Sequence, residues 1–313
     1  MGETMKPPFF QYLCATSVNE VVEALVQNSD EAKILAGGQS LVPMLNLRIT
    51  RPSLLIDITR IASLKSLEFD EQRKRLVIGA AVTQTQVEQS VLVQHIAPLL
   101  SEALSHVAHP AIRNRGTLVG NAVHADPASE VPAVLLALDA TFIAVGPQGG
   151  RAIQANDFYV STLTTALEPD ELVTRIELAA TEDLFCSSWL EVARTHGSYA
   201  LVGVGCQLIL DDLGAGHAQT ILRASIALCG VSETPIRASD AEITLVGQSI
   251  TDYDRLDHAA EMSGLDLHPT SDTYASAHYR RELATVLTRR ALYSALARLN
   301  PSLSMESPTH GSE

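Results

Sequence analysis

Aromatic and basic side chains are scarce in this sequence. Phe, Tyr and Trp together make up 4% of the 313 residues, and 22 Lys and Arg stand against 36 Asp and Glu. Nucleic acids bind through basic surfaces and, when single-stranded, through stacking on aromatic rings. A formal net charge of −14 repels such a polyanion. We therefore expect no nucleic-acid partner.

Cysteines are few and widely spaced. The four are Cys14, Cys186, Cys206 and Cys229, and no C-x-x-C pair occurs. A zinc site or an iron–sulfur cluster draws several thiolates from short spacings. We therefore expect buried free thiols, with no metal ion and no cluster bound to this chain.

Long apolar runs are also missing. No run reaches the ~18 residues of a membrane span, and the N-terminal MGETMKPPFF lacks the apolar core of a signal peptide. We predict a soluble cytoplasmic protein without a membrane span. Because 46% of the residues are hydrophobic, 313 residues suffice for two or three domains with substantial cores.

The first 145 residues mix helix and strand signals. Ser17-x-x-Glu20 predicts a helix start, with the helix running to about Val26, and Thr83-x-x-Gln86 predicts another start. Apolar residues recur at helical spacing over 91–107. The remaining predictions are strands at 33–35, 54–58 and 141–145, a hairpin over 66–80 and a helix over 131–140.

The pattern changes after about residue 175. The segments ELVTRIEL, SSWLEVAR, ALVGVGCQLIL and ILRASIALCGV predict four strands. Three helical segments follow, from ASDAEITLVG to SAHYRRELATVLTRRALYSALARL. Strands followed by helices predict an α+β domain with helices on one face of an antiparallel sheet. The polar C-terminal tail, residues 301–313, is predicted to be flexible.

The segment ILAGGQSL, residues 34–41, places two glycines where a strand passes into a helix. Glycine permits positive φ and the close approach of another group, and successive bare N–H groups form a concavity for an anion. The sequence is neither a Walker A loop nor a dinucleotide-binding G-x-G-x-x-G. From the residues alone, the two glycines are explained either by a phosphate site or by an ordinary strand–turn–helix corner.

A second stretch, HPAIRNRGTLVGNAVHADPASEVPA, is rich in turn-forming and hydrogen-bonding residues. Two glycine turns in one domain are typical of two loops that close on one pyrophosphate. Glu130 either accepts a hydrogen bond from a ring N–H or only meets the dipole at a helix start. His106, His109 and His124 are read as loop or core histidines rather than metal ligands, because no acidic or thiol cluster completes a site.

In these two segments and in its C-terminal part, the chain resembles the FAD-binding medium subunits of molybdenum hydroxylases, the family of carbon monoxide dehydrogenase and xanthine dehydrogenase. AGGQS (36–40) resembles the first flavin-pyrophosphate loop, and IRNRGTLVGN (112–121) with HADPASEVPA resembles the second. TTALEPDELVTRIEL (164–178), LEVARTHGSYALVGV (190–204) and ASAHYRRELATVLTRRAL (275–292) resemble the C-terminal domain of the family. The resemblance covers nearly the whole chain in order.

The resemblance implies an α+β fold. Residues 1–178 would form a p-cresol-methylhydroxylase-like FAD-binding domain of two α/β subdomains split near residue 60, and 179–300 a C-terminal α+β domain with an antiparallel sheet. It also implies contacts with non-covalent FAD. The implied contact residues are Ile34, Leu35, Ala36, Gly37, Gly38, Gln39, Ser40, Leu41, Thr117, Leu118, Val119, Gly120, Asn121, Glu130, Val173 and Leu190.

This sequence departs from the family pattern at several of these positions. Val119 replaces the first glycine of the usual T-I-G-G-N, and Glu130 stands where an aspartate is usual. Leu190 replaces a lysine of some relatives, and Thr195 and Ser198 replace an arginine and an aspartate. Trp189 either covers one flavin face or packs in the domain core.

The resemblance further implies a role in electron transfer. A large subunit would hold the molybdenum cofactor, a small subunit would hold two [2Fe–2S] clusters, and FAD on this chain would pass electrons to an external acceptor. A dimer of such heterotrimers is expected. The alternatives are a stand-alone flavin oxidase of the same fold, often with covalent FAD, and a non-enzymatic scaffold that has kept the nucleotide fold. No residue of this chain is predicted to act as an acid, base or nucleophile.

Overall fold

The computed structural model describes residues 6–28, 31–211 and 219–299. The flexible tail expected over 301–313 lies outside these ranges. The described chain forms three sheet-based units in sequence order, and the α+β class expected from the sequence is confirmed.

The first unit is a small parallel α/β subdomain. Its central strand β3 lies between β1 and β2 and pairs with both in parallel. Ser17 begins the first helix as predicted, because its Oγ accepts a hydrogen bond from the Glu20 N–H at 3.2 Å. The elements are β1 (Gln11–Cys14), α1 (Val18–Asn28), β2 (Ala32–Leu35), α2 (Leu41–Asn46) and β3 (Leu54–Asp57).

The second unit is a five-stranded antiparallel sheet with helices packed on it. Its strand order is β4-β5-β10-β6-β7, and β8 and β9 form a separate two-stranded hairpin. The strands are β4 (Leu67–Asp70), β5 (Arg75–Gly79), β6 (Thr141–Gly146), β7 (Gly149–Gln154), β8 (Tyr159–Ser161), β9 (Thr164–Thr165) and β10 (Leu172–Ala179). The helices are α3 (Gln84–Glu88), α4 (Val91–Ile96), α5 (Pro98–His106), α6 (Pro110–Arg113), α7 (Leu118–His124), α8 (Glu130–Ala137) and α9 (Ala155–Phe158).

Two local predictions in this unit have different outcomes. The capping box at Thr83 is present in full, with Gln86 as the reciprocal partner. The helical pattern over 91–107 is divided into α4 and α5 at Ala97, where φ is −137° and ψ is 62°. Pro98 explains the division: it lacks the N–H needed to continue a helix but is well suited to begin one.

The strand β10 corrects one expectation. The sequence pattern places the segment ELVTRIEL among the strands of the C-terminal sheet, and the resemblance places TTALEPDELVTRIEL in the C-terminal domain; both placements are wrong. Instead β10 pairs with β5 and β6 in the centre of the second sheet. Its burial pattern, with six of eight residues buried, is typical of a central strand and does not indicate which sheet the strand joins.

The third unit is an antiparallel sheet of order β11-β12-β13-β14, with three helices. Its long helix α12 packs on β11 and β12, and α10 packs on β13. The elements are β11 (Leu184–Ala193), β12 (Ala200–Leu210), β13 (Ile221–Cys229), β14 (Ile236–Arg237), α10 (Ser239–Leu245), α11 (Tyr253–Met262) and α12 (Ala277–Leu299).

The second and third units are joined by packing and by ion pairs. The helix α8, buried along its full length, lies against β12 and β13. Arg237, from β14, donates to the carbonyl oxygen of Leu136 at 2.9 Å and to Asp139 at 2.8 Å. Arg298, from α12, pairs with Glu102 of α5. These contacts fix the third unit against the helices that surround the cleft described next.

Candidate functional site: a cleft between two glycine loops

All three units contribute to a cleft of about 680 Å³. The parallel subdomain supplies the turn after β2, and the second unit supplies α7, the start of α8 and the loop before β10. The third unit supplies the turn at residues 197–199, which joins β11 to β12. The volume and the mixed apolar and polar lining are typical of a cofactor site.

The first glycine turn presents unpaired backbone donors to this cleft. Gly38 has φ +74°, a conformation that favours glycine. Within the described residues, none accepts a hydrogen bond from the backbone N–H groups of Gly38, Gln39 or Ser40. Ser40 begins α2 without a side-chain capping bond, so its hydroxyl is also uncommitted. Three adjacent N–H groups beside a cleft form an anion-binding concavity.

The second loop is a capped helix start. Thr117 precedes α7 and its Oγ1 accepts a hydrogen bond from the Gly120 N–H at 3.0 Å. Val119 lies inside α7 and is not among the described residues with positive φ. Its replacement of a family glycine therefore strains no backbone. Asn121 accepts a hydrogen bond from the Ser129 hydroxyl at 2.7 Å, which ties α7 to the start of α8.

The two loops pack directly against each other. A Cβ atom on Gly37 would lie 2.3 Å from the carbonyl oxygen of Arg115 and 2.5 Å from the Cα of Gly116. A Cβ on Gly120 would lie 3.7 Å from the Cβ of Ala36. Glycine at position 37 is thus required by contact between the loops. The sequence-based expectation that both loops close on one group is compatible with this geometry.

The cleft fits the diphosphate of a dinucleotide. The unpaired N–H groups match its charge, and the glycine backbone allows close approach on both sides. Ile34, Leu41 and Val173 supply apolar wall on either side of the polar turn. FAD has this composition, with a diphosphate between an adenosine and an apolar ring system.

Glu130 is the buried acid of the cleft. It is the first residue of α8, lines the cleft and is only 3% exposed, and its hydrogen bond with a flavin ring stays a prediction. Burial raises the pKa of its carboxyl to about 8, and the nearby Glu191 and Asp126 act in the same direction. At neutral pH Glu130 is therefore largely protonated and can donate as well as accept a hydrogen bond.

A polar cluster lies beside Glu130 at the junction of the second and third units. The Glu191 carboxylate accepts a hydrogen bond from Trp189 Nε1 at 3.0 Å and lies 3.4 Å from His106 Nδ1. The hydrogen bond with Glu191 raises the pKa of His106. Trp189 itself is 1% exposed and packs over Gly203 and Gly205 in the core. The core interpretation of Trp189 is confirmed, since it does not line the cleft.

Thirteen of the sixteen residues implied by the family resemblance line this cleft. The other three lie elsewhere: the side chain of Leu118 is fully buried in the core, Leu35 ends β2 and Leu190 packs against the core of the third unit. The flavin contacts of these three residues stay predictions. The thirteen are Ile34, Ala36, Gly37, Gly38, Gln39, Ser40, Leu41, Thr117, Val119, Gly120, Asn121, Glu130 and Val173.

Several cleft residues carry no signal in the sequence. Gln84, Leu167 and Tyr199 line the cleft, and each lies in a segment that the motifs do not mark as a binding loop. The turn that holds Tyr199 is closed by a 2.7 Å hydrogen bond between the hydroxyls of Thr195 and Ser198. These two residues, which replace a family arginine and aspartate, thus serve as hydrogen-bond partners for each other.

The expectation of buried free thiols is confirmed for three of the four cysteines. Cys186, Cys206 and Cys229 are buried, Cys14 is half-buried, and all four are free. Over residues 6–28, 31–211 and 219–299, no group of His, Cys, Asp and Glu side chains is arranged to hold a metal ion. No helix in those same ranges is both long and apolar enough to cross a membrane.

Two known domain families match this chain. Residues 8–180 match the FAD binding domain in molybdopterin dehydrogenase, and residues 187–295 match the CO dehydrogenase flavoprotein C-terminal domain.

Curated relatives match over nearly their full length. The chain is 39% identical over 300 residues to the 6-hydroxypseudooxynicotine dehydrogenase complex subunit alpha of Paenarthrobacter nicotinovorans, covering 95% of this chain and 98% of the relative. It is 36% identical to the caffeine dehydrogenase subunit beta of Pseudomonas sp. strain CBB1, covering 94% and 97%.

Solved structures agree. The chain superposes on carbon monoxide dehydrogenase from Hydrogenophaga pseudoflava with a TM-score of 0.87 and 34% identity, covering 93% of this chain and 99% of that chain. Quinoline 2-oxidoreductase from Pseudomonas putida 86 gives a TM-score of 0.84 and 34% identity, covering 93% and 98%. Together with the cleft geometry, these matches show that the chain belongs to the family of FAD-binding medium subunits of molybdenum-containing dehydrogenases and hydroxylases.

Proposed function

We propose that this chain is the electron-transfer subunit of a three-subunit molybdenum hydroxylase. FAD held non-covalently in the cleft takes electrons from two [2Fe–2S] clusters of a small partner subunit and passes them to an external acceptor. A large partner subunit carries the molybdenum cofactor and hydroxylates the substrate. The observation that carries the proposal is the meeting of two glycine loops at one cleft with three unpaired N–H groups.

Each part of the cleft has a proposed task. The N–H groups of Gly38, Gln39 and Ser40 bind the diphosphate from one side, and residues 117–121 close on it from the other. Glu130 hydrogen-bonds the polar edge of the ring system. When bound, FAD supplies the redox chemistry, and the protein binds, orients and tunes it.

We assign no general acid, base or nucleophile to this chain. Burial raises the pKa of both Glu130 and Tyr199 in the cleft, so both side chains are largely protonated at neutral pH and suit hydrogen bonding to a ligand. His124 and Ser129 also line the cleft, and within the described structure no hydrogen bond joins them as a nucleophile and its base.

Substrate choice is assigned to the large partner. Relatives of similar identity are named for chemically unlike substrates: a nicotine derivative, caffeine and carbon monoxide. A shared subunit fold with such different substrates is explained if the substrate binds on another chain. We further propose a dimer of heterotrimers in the cytoplasm, with this chain divided into domains at 1–178 and 179–300.

The test is the cofactor content of the intact complex. The chain is tagged in its native host, and the complex is purified under non-denaturing conditions. Metal analysis and flavin extraction should give about one molybdenum and about four irons per FAD, as two [2Fe–2S] clusters require. A tagged chain that carries FAD but purifies alone, without molybdenum or iron, would contradict the three-subunit proposal and favour a stand-alone oxidase.

A further inference from the structure

Gln84 lies at the base of both glycine loops. It is the first residue of α3, and the capping box of Thr83 and Gln86 fixes its backbone. Its N–H donates to the carbonyl oxygen of Gly116 at 2.8 Å. Its Oε1 lies 3.3 Å from the point where a Cβ on Gly116 would be, and that point is 3.6 Å from Cγ of Gln39. The side chain is thus held next to the place where the loops meet.

The carboxamide of Gln84 is buried without a complete set of partners. The residue is 3% exposed, and its Oε1 accepts no hydrogen bond from the described residues. Five buried side-chain atoms in the described chain lack a hydrogen-bond partner, and among their residues Gln84 alone lines the cleft. Such an atom costs the free protein stability, whereas a methionine of similar volume would avoid that cost.

The chemistry of the site selects the kind of partner. A carboxamide offers one acceptor oxygen and two donor hydrogens, and a half turn about its terminal torsion exchanges the two ends with little change of shape. A hydroxyl both donates and accepts, so it complements either orientation. In FAD the groups on either side of the diphosphate are sugar hydroxyls, on the ribityl chain and on the ribose.

We infer that Gln84 is a further cofactor-binding residue whose carboxamide hydrogen-bonds a sugar hydroxyl of FAD next to the diphosphate. This inference rests on the proposed binding of FAD in the cleft. Gln84 fixes the register of the sugar–diphosphate chain, while the turn at Gly38 neutralises its charge. Because Oε1 is enclosed by protein in the free structure, this contact requires the half turn of the carboxamide that brings its other end to that place and its oxygen to the hydroxyl.

The test compares Gln84→Met with the control Gln89→Met, one turn along and exposed. Apoprotein is titrated with FAD, and binding is followed by flavin fluorescence. Gln84→Met should bind FAD about tenfold more weakly, equivalent to about 1.4 kcal/mol. Its apoprotein should melt at or above the wild-type temperature, because an unpaired buried amide is gone. Gln89→Met should change neither value.

Deoxy analogues of FAD identify the hydroxyl. An analogue that lacks the contacted hydroxyl, in the ribityl chain or in the ribose, should bind wild type about tenfold more weakly than FAD does. The same analogue and FAD should bind Gln84→Met with equal affinity. The isosteric Gln84→Glu provides a second variant if Gln84→Met folds poorly, and it should also weaken FAD binding. Unchanged FAD affinity in both variants would overturn the role of Gln84 and leave FAD binding intact. Wild type that binds no FAD would instead overturn the proposed function.

Discussion

A Gly37→Ala protein is expected to lose FAD. The new methyl group would lie 2.3 Å from the carbonyl oxygen of Arg115 and 2.5 Å from the Cα of Gly116. Both obstacles are backbone atoms, so the two glycine loops must separate to make room. The N–H groups of the first turn then no longer face the second loop. We expect FAD affinity to fall about hundredfold, which corresponds to about 2.7 kcal/mol, as measured by flavin fluorescence titration of the apoprotein.

The matched control is Gly150→Ala. A Cβ at that position makes its closest contact at 3.6 Å, an ordinary van der Waals distance, in the strand β7 away from the cleft. This variant should bind FAD as wild type does. Circular dichroism of Gly37→Ala should remain that of a folded protein, since overpacking at one position costs about 1–3 kcal/mol. Wild-type FAD affinity in a folded Gly37→Ala protein would show that the loop junction does not form the site.

The second large effect concerns Glu130 and pH. Burial raises the pKa of its carboxyl to about 8 in the folded protein, against about 4.5 in the unfolded chain. Between these values the folded state holds a proton that the unfolded state has released. The free energy of unfolding therefore falls as pH rises through this window, by at most about 5 kcal/mol. Glu130→Gln carries no titrating group, so its apoprotein should lack this decline, as measured by urea unfolding at pH 5, 6, 7 and 8.

Glu171 provides a control of opposite sign in the same cleft. Its hydrogen bond with Arg151, at 2.7 Å, lowers the pKa of its carboxyl. That contribution to stability is present above the unfolded pKa and is lost as pH falls, so Glu171→Gln should be less stable than wild type at neutral pH. Equal pH slopes in wild type and Glu130→Gln would contradict the buried, protonated state of Glu130. The Glu130→Gln holoprotein should keep FAD and show a shifted midpoint potential.

Sequence motifs predicted the parts of the fold that depend on residues close together in the chain. The capping box at Thr83, the hairpin of β4 and β5 and the turn at Gly38 each depend on residues that are neighbours in sequence. The short helices α6 and α7 are not predicted from the sequence, although Pro110 begins the first and Thr117 caps the second, because helices of four and seven residues are stabilised mainly by tertiary packing.

Features that depend on contacts between distant parts of the chain could not be predicted from the sequence. The strand β10 has the pattern of any buried strand, and only its partners show which sheet it joins. Successive side chains of β11 lie on opposite faces of the sheet, and Leu190 packs against the core of the third unit because α12 covers that face. Gln84 is the clearest case: a capping signal predicts the start of α3, but burial of its first side chain depends on the loop at Gly116, 32 positions further along.

We propose above all that the cleft between the glycine loops holds FAD non-covalently. The most direct measurement is the visible spectrum of the purified chain before and after acid precipitation. We expect flavin bands in the native protein that move entirely to the supernatant with acid. Yellow colour that stays with the pellet would instead show a covalent flavin and favour an oxidase. A colourless protein that also takes up no added FAD would contradict the claim outright.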